Sequence, residues 1–244
     1  MISAETMNAV ARATVRFPVR GGQGVLIPGG FILTAAHVIE WTHTGLMALG
    51  NGEEFVQRIE AGGKPLLVYP LAVEPVADLA VLGALDGQWQ PEAAEAFEQF
   101  CETTVPVRVA TAEFPYGTPI PAHVLAHTGQ WIHGHVAQSR PEAPKLVLMP
   151  DEAIRGGTSG GPVVTDEGRL LGVVSWSRQD ARGEIDTDRM RSGSIPRPHL
   201  TAPVWLARQM TGRRRRRSTY YDAALAAERD RLSKLKLGQR TEEA

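Results

Sequence analysis

The sequence predicts an all-β fold of two six-stranded antiparallel barrels followed by a C-terminal helical tail, and three observations carry that expectation. Between Ala11 and Leu171, short apolar or alternating runs (ATVRF, GVLIP, FILTAAHVI, PLLVYPLAV, LAVLGAL, VPVRVA, KLVLM and GPVVT) are separated by turns rich in Gly, Pro and Asp, the punctuation that strands require. No long amphipathic helix is interleaved between them, which disfavours an alternating α/β sheet. A length of 244 residues accommodates both barrels as one β-rich unit with appendages.

The first barrel is expected over about residues 11–90. Pro91–Thr103 (PEAAEAFEQFCET) reads as a short helix between the two strand clusters: Pro stands at its first position, and Glu92 and Glu95 face the positive end of its dipole. The second barrel then runs over about residues 104–196, with Arg191–Ile195 as its last strand. Leu200–Met210 (LTAPVWLARQM) carries Val204, Trp205 and Arg208 at helical spacing, which predicts a docking helix over about 200–210 and closes a domain of residues 1–210. Residues 211–244 hold the five arginines Arg213–Arg217 and then a tail helix. Ser218 can cap Thr219–Leu237, and Tyr221, Leu225, Leu232 and Leu235 share one stripe before Gly238.

With 43% hydrophobic and 22% charged residues, the bulk of the chain has an ordinary globular composition and should bury a core. The formal net charge of -1 supplies no electrostatic case for nucleic acid or an anionic membrane. The balance is uneven, because residues 213–244 hold 10 basic and 5 acidic side chains, leaving 16 and 22 for residues 1–212. The arginine run reads as a solvated linker, since no aromatic platform accompanies it. A single cysteine, Cys101, cannot form an internal disulfide, and the N-terminal segment has no uninterrupted apolar run; the expected setting is reducing and cytoplasmic. Leu66–Leu85 is the most lipid-like stretch, but Pro70, Glu74, Pro75 and Asp78 would be costly in a bilayer.

The chemistry lies in three separated segments: Thr34-Ala35-Ala36-His37, Asp78-Leu79-Ala80-Val81-Leu82 and Gly157-Thr158-Ser159-Gly160-Gly161-Pro162. A serine hydroxyl is a poor nucleophile at neutral pH. Acyl transfer therefore needs an imidazole to take its proton and a carboxylate to hold that imidazole in the useful tautomer. The glycines around Ser159 allow the N–H groups of Gly157 and Ser159 to converge on a developing oxyanion. His123, His127, His133 and His135 invite a metal reading, but no cysteine or acidic ligand stands near them in sequence, so the expected site holds no metal and no cofactor. Cys101, beside Phe97 and Phe100, reads as packing rather than a reactive thiol.

At these residues the chain resembles the trypsin-like serine proteases, especially the disulfide-free HtrA-type branch. The likeness spans roughly Ala11–Gln209. It includes Gly21-Gly22-Gln23-Gly24-Val25, the TAAHV, DLAVL and TSGGPVV segments, the strand Leu171–Trp176 and the late Ser194-Ile195-Pro196. The resemblance implies a chymotrypsin-like fold and a serine endopeptidase acting on protein or peptide substrates. His37 would be general base then acid, Asp78 its orienter, Ser159 the nucleophile, and Gly157 with Ser159 the oxyanion hole. Ser175, Trp176 and Ser177 would pair with an extended substrate backbone, while Ala153 and Ile154 would line the primary side-chain pocket. Neither is acidic, so a small or medium apolar residue is expected there, although Asp180, Glu184, Asp186 and Asp188 lie in the following loop.

Two departures bear on control. There is no Arg-Ile-Val-Gly-Gly-like activation terminus, and Thr158 stands where secreted relatives carry the acid that receives it. About 35 residues follow Gln209, too few for a PDZ-like domain, so the expected gate is loop ordering through the tail helix or a partner protein. Gly157–Gly161 also matches the G-x-S-x-G elbow of α/β-hydrolases, but that fold needs Asp and His after Ser, and only His199 follows. The remaining alternative is a catalytically silent adaptor that holds extended peptides in the same cleft.

Overall fold

The computed structural model describes residues 1–40, 55–110, 118–138, 145–176, 199–204 and 206–207. It opens with a helix that the strand pattern does not announce, α1 (Ala4–Arg12). The Ser3 hydroxyl accepts the Thr6 N–H at 3.1 Å, with Glu5 in the first turn and Arg12 in the last, so both ends complement the helix dipole. Six strands follow: β1 (Thr14–Arg16), β2 (Gln23–Ile27), β3 (Phe31–Thr34), β4 (Gln57–Ala61), β5 (Lys64–Glu74) and β6 (Leu79–Gly83). They close in the order β1-β2-β3-β6-β5-β4, with Arg16 opposite Glu60 completing the ring. Every residue of β2 and β6 is buried, the signature of strands covered on both faces. Val15, Val25, Ile32, Ile59, Val68 and Leu79 are fully buried, and each such aliphatic side chain contributes roughly 1.5–3 kcal/mol.

The second barrel comprises β7 (Ile120–Leu125), β8 (Trp131–Ala137), β9 (Leu146–Pro150), β10 (Pro162–Val164), β11 (Leu170–Trp176) and β12 (His199–Pro203). Their order is β10-β11-β12-β9-β8-β7, closed by Val163 opposite Val124. All pairings in both barrels are antiparallel, as expected. Along β8, Ile132, Gly134 and Val136 are buried while His133 and His135 are exposed, the period-two pattern of a barrel wall. Ala122, Val124, Leu146, Leu148, Val163 and Val174 fill the interior.

The connecting helix α2 spans Pro91–Thr103, the bounds expected from sequence, and buries Phe97. Its Phe97 and Phe100 rings lie 6.3 Å apart. Burial first, then the charges of Glu98 and Glu102, push the Cys101 thiol up to about 11, which leaves it protonated and consistent with packing. Beyond α2, VPVRVA is not a strand of either barrel. Val107 N–H donates to the Leu26 carbonyl at 2.9 Å, and Leu170 N–H donates to the Arg108 carbonyl at 2.8 Å. The segment thus hands the chain from β2 of one barrel to β11 of the other.

A second correction concerns residues 200–210. Leu200–Pro203 belong to β12, which pairs with β11 and β9, and helical backbone begins only at Val204. Strand pairing on both sides outweighs the helical spacing of three side chains. The second barrel therefore extends past the expected limit of 196. The chain divides into compact units of Met1–Ala207 and Arg208–Ala244; the expected strand Arg191–Ile195, the arginine run and the tail helix lie outside the described residues. Among those described, no helix is long and apolar enough to cross a membrane.

Two outcomes are expected. Gly134 faces Pro150 across the β8–β9 ladder, and a β-carbon there would collide with the Met149 carbonyl and Pro150 backbone; Gly134→Ala should lower stability by about 1–3 kcal/mol in denaturant unfolding. Cys101 should react slowly with iodoacetamide at about pH 8 in the native protein and rapidly once denatured.

Candidate active site

His37 and Asp78 are brought together by one strand register. In the β3–β6 pair Thr34 lies opposite Ala80. Continuing that antiparallel register two residues outward sets Ala36 against Asp78, and Ala36 N–H donates to the Asp78 carbonyl at 3.1 Å. His37 sits in a 3-10 turn, Ala36–Val38, directly after β3, and Asp78 immediately precedes β6. Their separation of 41 positions is thereby closed. His37 Nδ1 lies 2.8 Å from Asp78 Oδ2, and the His37 backbone N–H donates to Oδ1 at 2.9 Å.

Asp78 receives a further hydrogen bond from the other barrel, Ser175 Oγ to Oδ2 at 2.7 Å. Ser175 is fully buried and lies where the β11–β12 register shifts between Val174 and Trp176. Such an irregularity re-aims a side chain, and here the hydroxyl is turned to Asp78. Burial pushes the Asp78 carboxyl up, but the His37 hydrogen bond and charge, the Ser175 hydroxyl and the His37 N–H outweigh it, and the group sits below the ordinary aspartate value. Because the ionised carboxylate only accepts, His37 donates to it from a proton on Nδ1, which leaves Nε2 as the acceptor nitrogen of the neutral ring. Asp78 is also the one non-glycine described residue with positive φ, at 58°, a conformation Asp tolerates at a cost of about 1–2 kcal/mol.

Ser159 is held at the junction of the two barrels. Its carbonyl accepts the Gln23 N–H from β2 at 2.7 Å, while the next residue, Gly160, donates to the Val174 carbonyl beside Ser175 at 2.7 Å. Gly160 has φ 77°, and a β-carbon there would strike the Gln23 carbonyl and the Thr34 hydroxyl; only glycine lets the backbones approach this closely. A β-carbon built on Gly22 would stand 2.7 Å from Val38 Cγ1 and 3.1 Å from the Ser159 carbonyl oxygen. The residue after His37 and the Ser159 backbone therefore flank the same point. No hydrogen bond joins the Ser159 hydroxyl to the His37 ring in this arrangement, a link that often tightens only when substrate binds.

Around the serine, Gly157 adopts φ 87°, and no described residue accepts a hydrogen bond from the N–H of Gly157 or Ser159. Thr158 between them is fully buried. Its hydroxyl meets His127 twice, at 3.3 Å from the backbone N–H and 3.4 Å from Nδ1, a partner that no motif announces. Ala153 is half-buried. Ile154 is fully buried in the second-barrel core with Val124 and Leu148. The Ser175 side chain is committed to Asp78. Trp176 pairs with Leu200 through the strand ladder, and Ser177 lies outside the described residues.

The histidine cluster is organised by hydrogen bonds. His123 Nδ1 meets His133 Nδ1 at 2.6 Å, and its opposite edge, Nε2, meets Asp166 Oδ1 at 2.8 Å. An acidic partner missed by proximity in sequence is therefore present, 43 residues on, but it lies on the far side of the His123 ring. Among the described residues no three His, Cys, Asp or Glu converge on a point that could hold a metal ion.

The lowered carboxyl of Asp78 makes a signed prediction. Its contribution to stability is complete above the unfolded aspartate value of about 3.9 and is lost as pH falls through the lower folded value. Thermal unfolding should show wild type more stable than Asp78→Asn near neutral pH, with the gap closing on acidification below about pH 4. Ser175→Ala, lacking one donor, should lose its advantage at a higher pH than wild type; a gap independent of pH would contradict the assignment.

Comparison with known proteins agrees with this architecture. Residues 22–173 match the trypsin-like peptidase domain. The chain is 24% identical over 194 residues to a protein of Synechocystis sp. named "Putative serine protease HhoA", covering 73% of this chain and 45% of that one, so it spans less than half of that relative's length. Its fold is similar to a serine endoprotease from Yersinia pestis (TM-score 0.56, 18% identity, 87% of this chain and 66% of that one). It is also similar to Rv3671c from M. tuberculosis H37Rv in an inactive form (TM-score 0.52, 16% identity, 87% and 91%). The matched region spans more than half of the chain and contains His37, Asp78 and Ser159, and the chain belongs to the trypsin-like peptidase family.

Proposed function

We propose that the protein is a serine endopeptidase that hydrolyses peptide bonds of protein substrates through an acyl-enzyme. The observation that carries this reading is the 2.8 Å contact of His37 Nδ1 with a carboxylate already fixed by Ser175 and the His37 N–H, beside the turn that bears Ser159. Ser159 Oγ attacks the scissile carbonyl carbon as its proton passes to His37 Nε2. The carbonyl oxygen, now negative, receives the N–H groups of Gly157 and Ser159. Collapse breaks the C–N bond and the leaving amine takes the proton from Nε2. Water then repeats the sequence on the acyl ester, giving its proton to Nε2 and restoring the serine. The imidazolium formed in each half is stabilised by Asp78. One such oxyanion donor is worth about 2.7–4 kcal/mol.

With Ala153 half-buried and uncharged, the primary pocket favours a small or medium apolar side chain, since a lysine or arginine would lose hydration without gaining a partner. The adaptor reading has one observation in its favour, the missing Ser159–His37 hydrogen bond. A fluorophosphonate probe separates the two. Labelling of wild type that disappears in Ser159→Ala, with Asp78→Asn slowed by about 10⁴-fold, is expected of the peptidase. Peptide binding without labelling, in the presence of substrate-like peptides, would establish the adaptor.

A further inference from the structure

The turn that would stabilise the oxyanion is held from beneath by a residue with no place in the His-Asp-Ser set. Thr158 connects the two N–H groups concerned, so where its side chain is fixed decides where they point. Its backbone N–H reaches the Arg155 carbonyl only at 3.4 Å, while its carbonyl accepts the Gly161 N–H at 2.8 Å. The side chain is wholly enclosed, and its hydroxyl makes two hydrogen bonds among the described residues, both to His127. The His127 ring also covers Gly157: a β-carbon on that glycine would lie 3.2 Å from His127 Cγ and 3.4 Å from Cδ2. The imidazole therefore blocks one direction of movement of the Gly157 peptide and ties down the next residue.

His127 is itself held from the other barrel. It lies in the β7–β8 hairpin loop, closed by Gly129 N–H to the Ala126 carbonyl at 2.9 Å, and its carbonyl accepts from Arg16 Nη2 of β1 at 3.1 Å. A continuous set of contacts thus runs from the first barrel through Arg16 and His127 to Thr158 and Gly157. From this geometry we propose that His127 is a positioning residue that holds the Gly157-Thr158-Ser159 turn in its oxyanion-binding form through the Thr158 hydroxyl. The inference rests on the peptidase reading above. The Thr158 hydroxyl accepts the backbone N–H of His127 and shares a second hydrogen bond with Nδ1, whose direction follows the His127 tautomer. Removing the imidazole leaves the buried hydroxyl without its ring partner and frees the Gly157 peptide to rotate. Because a misdirected donor acts on the charge developed during reaction rather than on the ground state, the loss belongs in kcat more than in KM.

The test is steady-state hydrolysis of a peptide substrate by the full chain, with binding of a peptide aldehyde as a mimic of the tetrahedral adduct. His127→Ala should lower kcat by about 10- to 100-fold, leave KM within about twofold, and weaken aldehyde binding in parallel with kcat. His127→Asn, whose amide can stand where Nδ1 stands, should restore most of the loss. Thr158→Val should match His127→Ala, Thr158→Ser should retain activity, and the double variant should be no worse than either single one. Thermal unfolding of each variant guards against loss by misfolding, and the Asn rescue distinguishes positioning from packing. An active wild type whose His127→Ala and Thr158→Val variants keep kcat overturns this inference alone. A wild type inert toward substrate and fluorophosphonate alike removes the peptidase reading and this inference with it.

Discussion

A largely buried carboxylate that must be surrounded by donors organises this molecule. The Asp78 side chain is only 14% exposed, and an ion taken out of water is tolerated only where hydrogen bonds replace its hydration. Two of those bonds come from His37 and one from Ser175 on the opposite barrel. The same contacts therefore dock the barrels and orient the imidazole. The left-handed backbone of Asp78 fits this arrangement: its strain is held by the β3–β6 register on one side and by the three donors on the other.

The remainder of the junction is built mainly from backbone. Gln23 uses its N–H for the Ser159 carbonyl and its carbonyl for the Thr34 hydroxyl, and Gly160 lies against that same carbonyl. Such an interface has little room for adjustment, since a methyl group at Gly160 would meet main chain rather than a movable side chain. It is also not optimised for stability. Among the described residues Gln23 Oε1 is buried without a hydrogen-bond partner, an omission that typically costs about 1–3 kcal/mol, and it lies 2.8 Å from where a β-carbon on Gly161 would be. Geometry near the serine takes precedence over complete satisfaction of the core.

What was legible in the sequence were features encoded locally. Pro91 with Glu92 marked the start of α2, and the apolar runs marked β2, β3, β5 and β6. The pieces around His37, Asp78 and Ser159 could be read because each combines a chemical group with the turn residues that present it. Features created by register were not legible. β4 and β7 mix polar and apolar residues on strands whose pairing decides which face is covered, and β8 alternates around histidines that resembled ligands. Leu200–Pro203 became strand because two neighbours were waiting for it. The His127–Thr158 contact spans 31 residues and the His123–Asp166 contact 43; neither leaves a spacing that periodicity could detect.

Membership of the family settles the architecture, while the chemistry depends on details that a shared fold does not guarantee. The two halves of the site differ in how they are held. The His37–Asp78 half is fixed by short bonds of 2.7–2.9 Å, whereas the contacts of the Thr158 hydroxyl and N–H are 3.3–3.4 Å, at the long end of what a hydrogen bond allows, although the Thr158 carbonyl accepts the Gly161 N–H at 2.8 Å. On the proposed reading the base is rigidly prepared and the Thr158 side-chain anchor is the softer contact. Any event that regulates the enzyme has more leverage on the softer element, because less free energy is needed to shift it. Thr158 carries no charge, so its hold on the turn comes from packing and hydrogen bonds rather than from an ion pair. Such a hold is weaker than an ion pair and correspondingly easier to reverse.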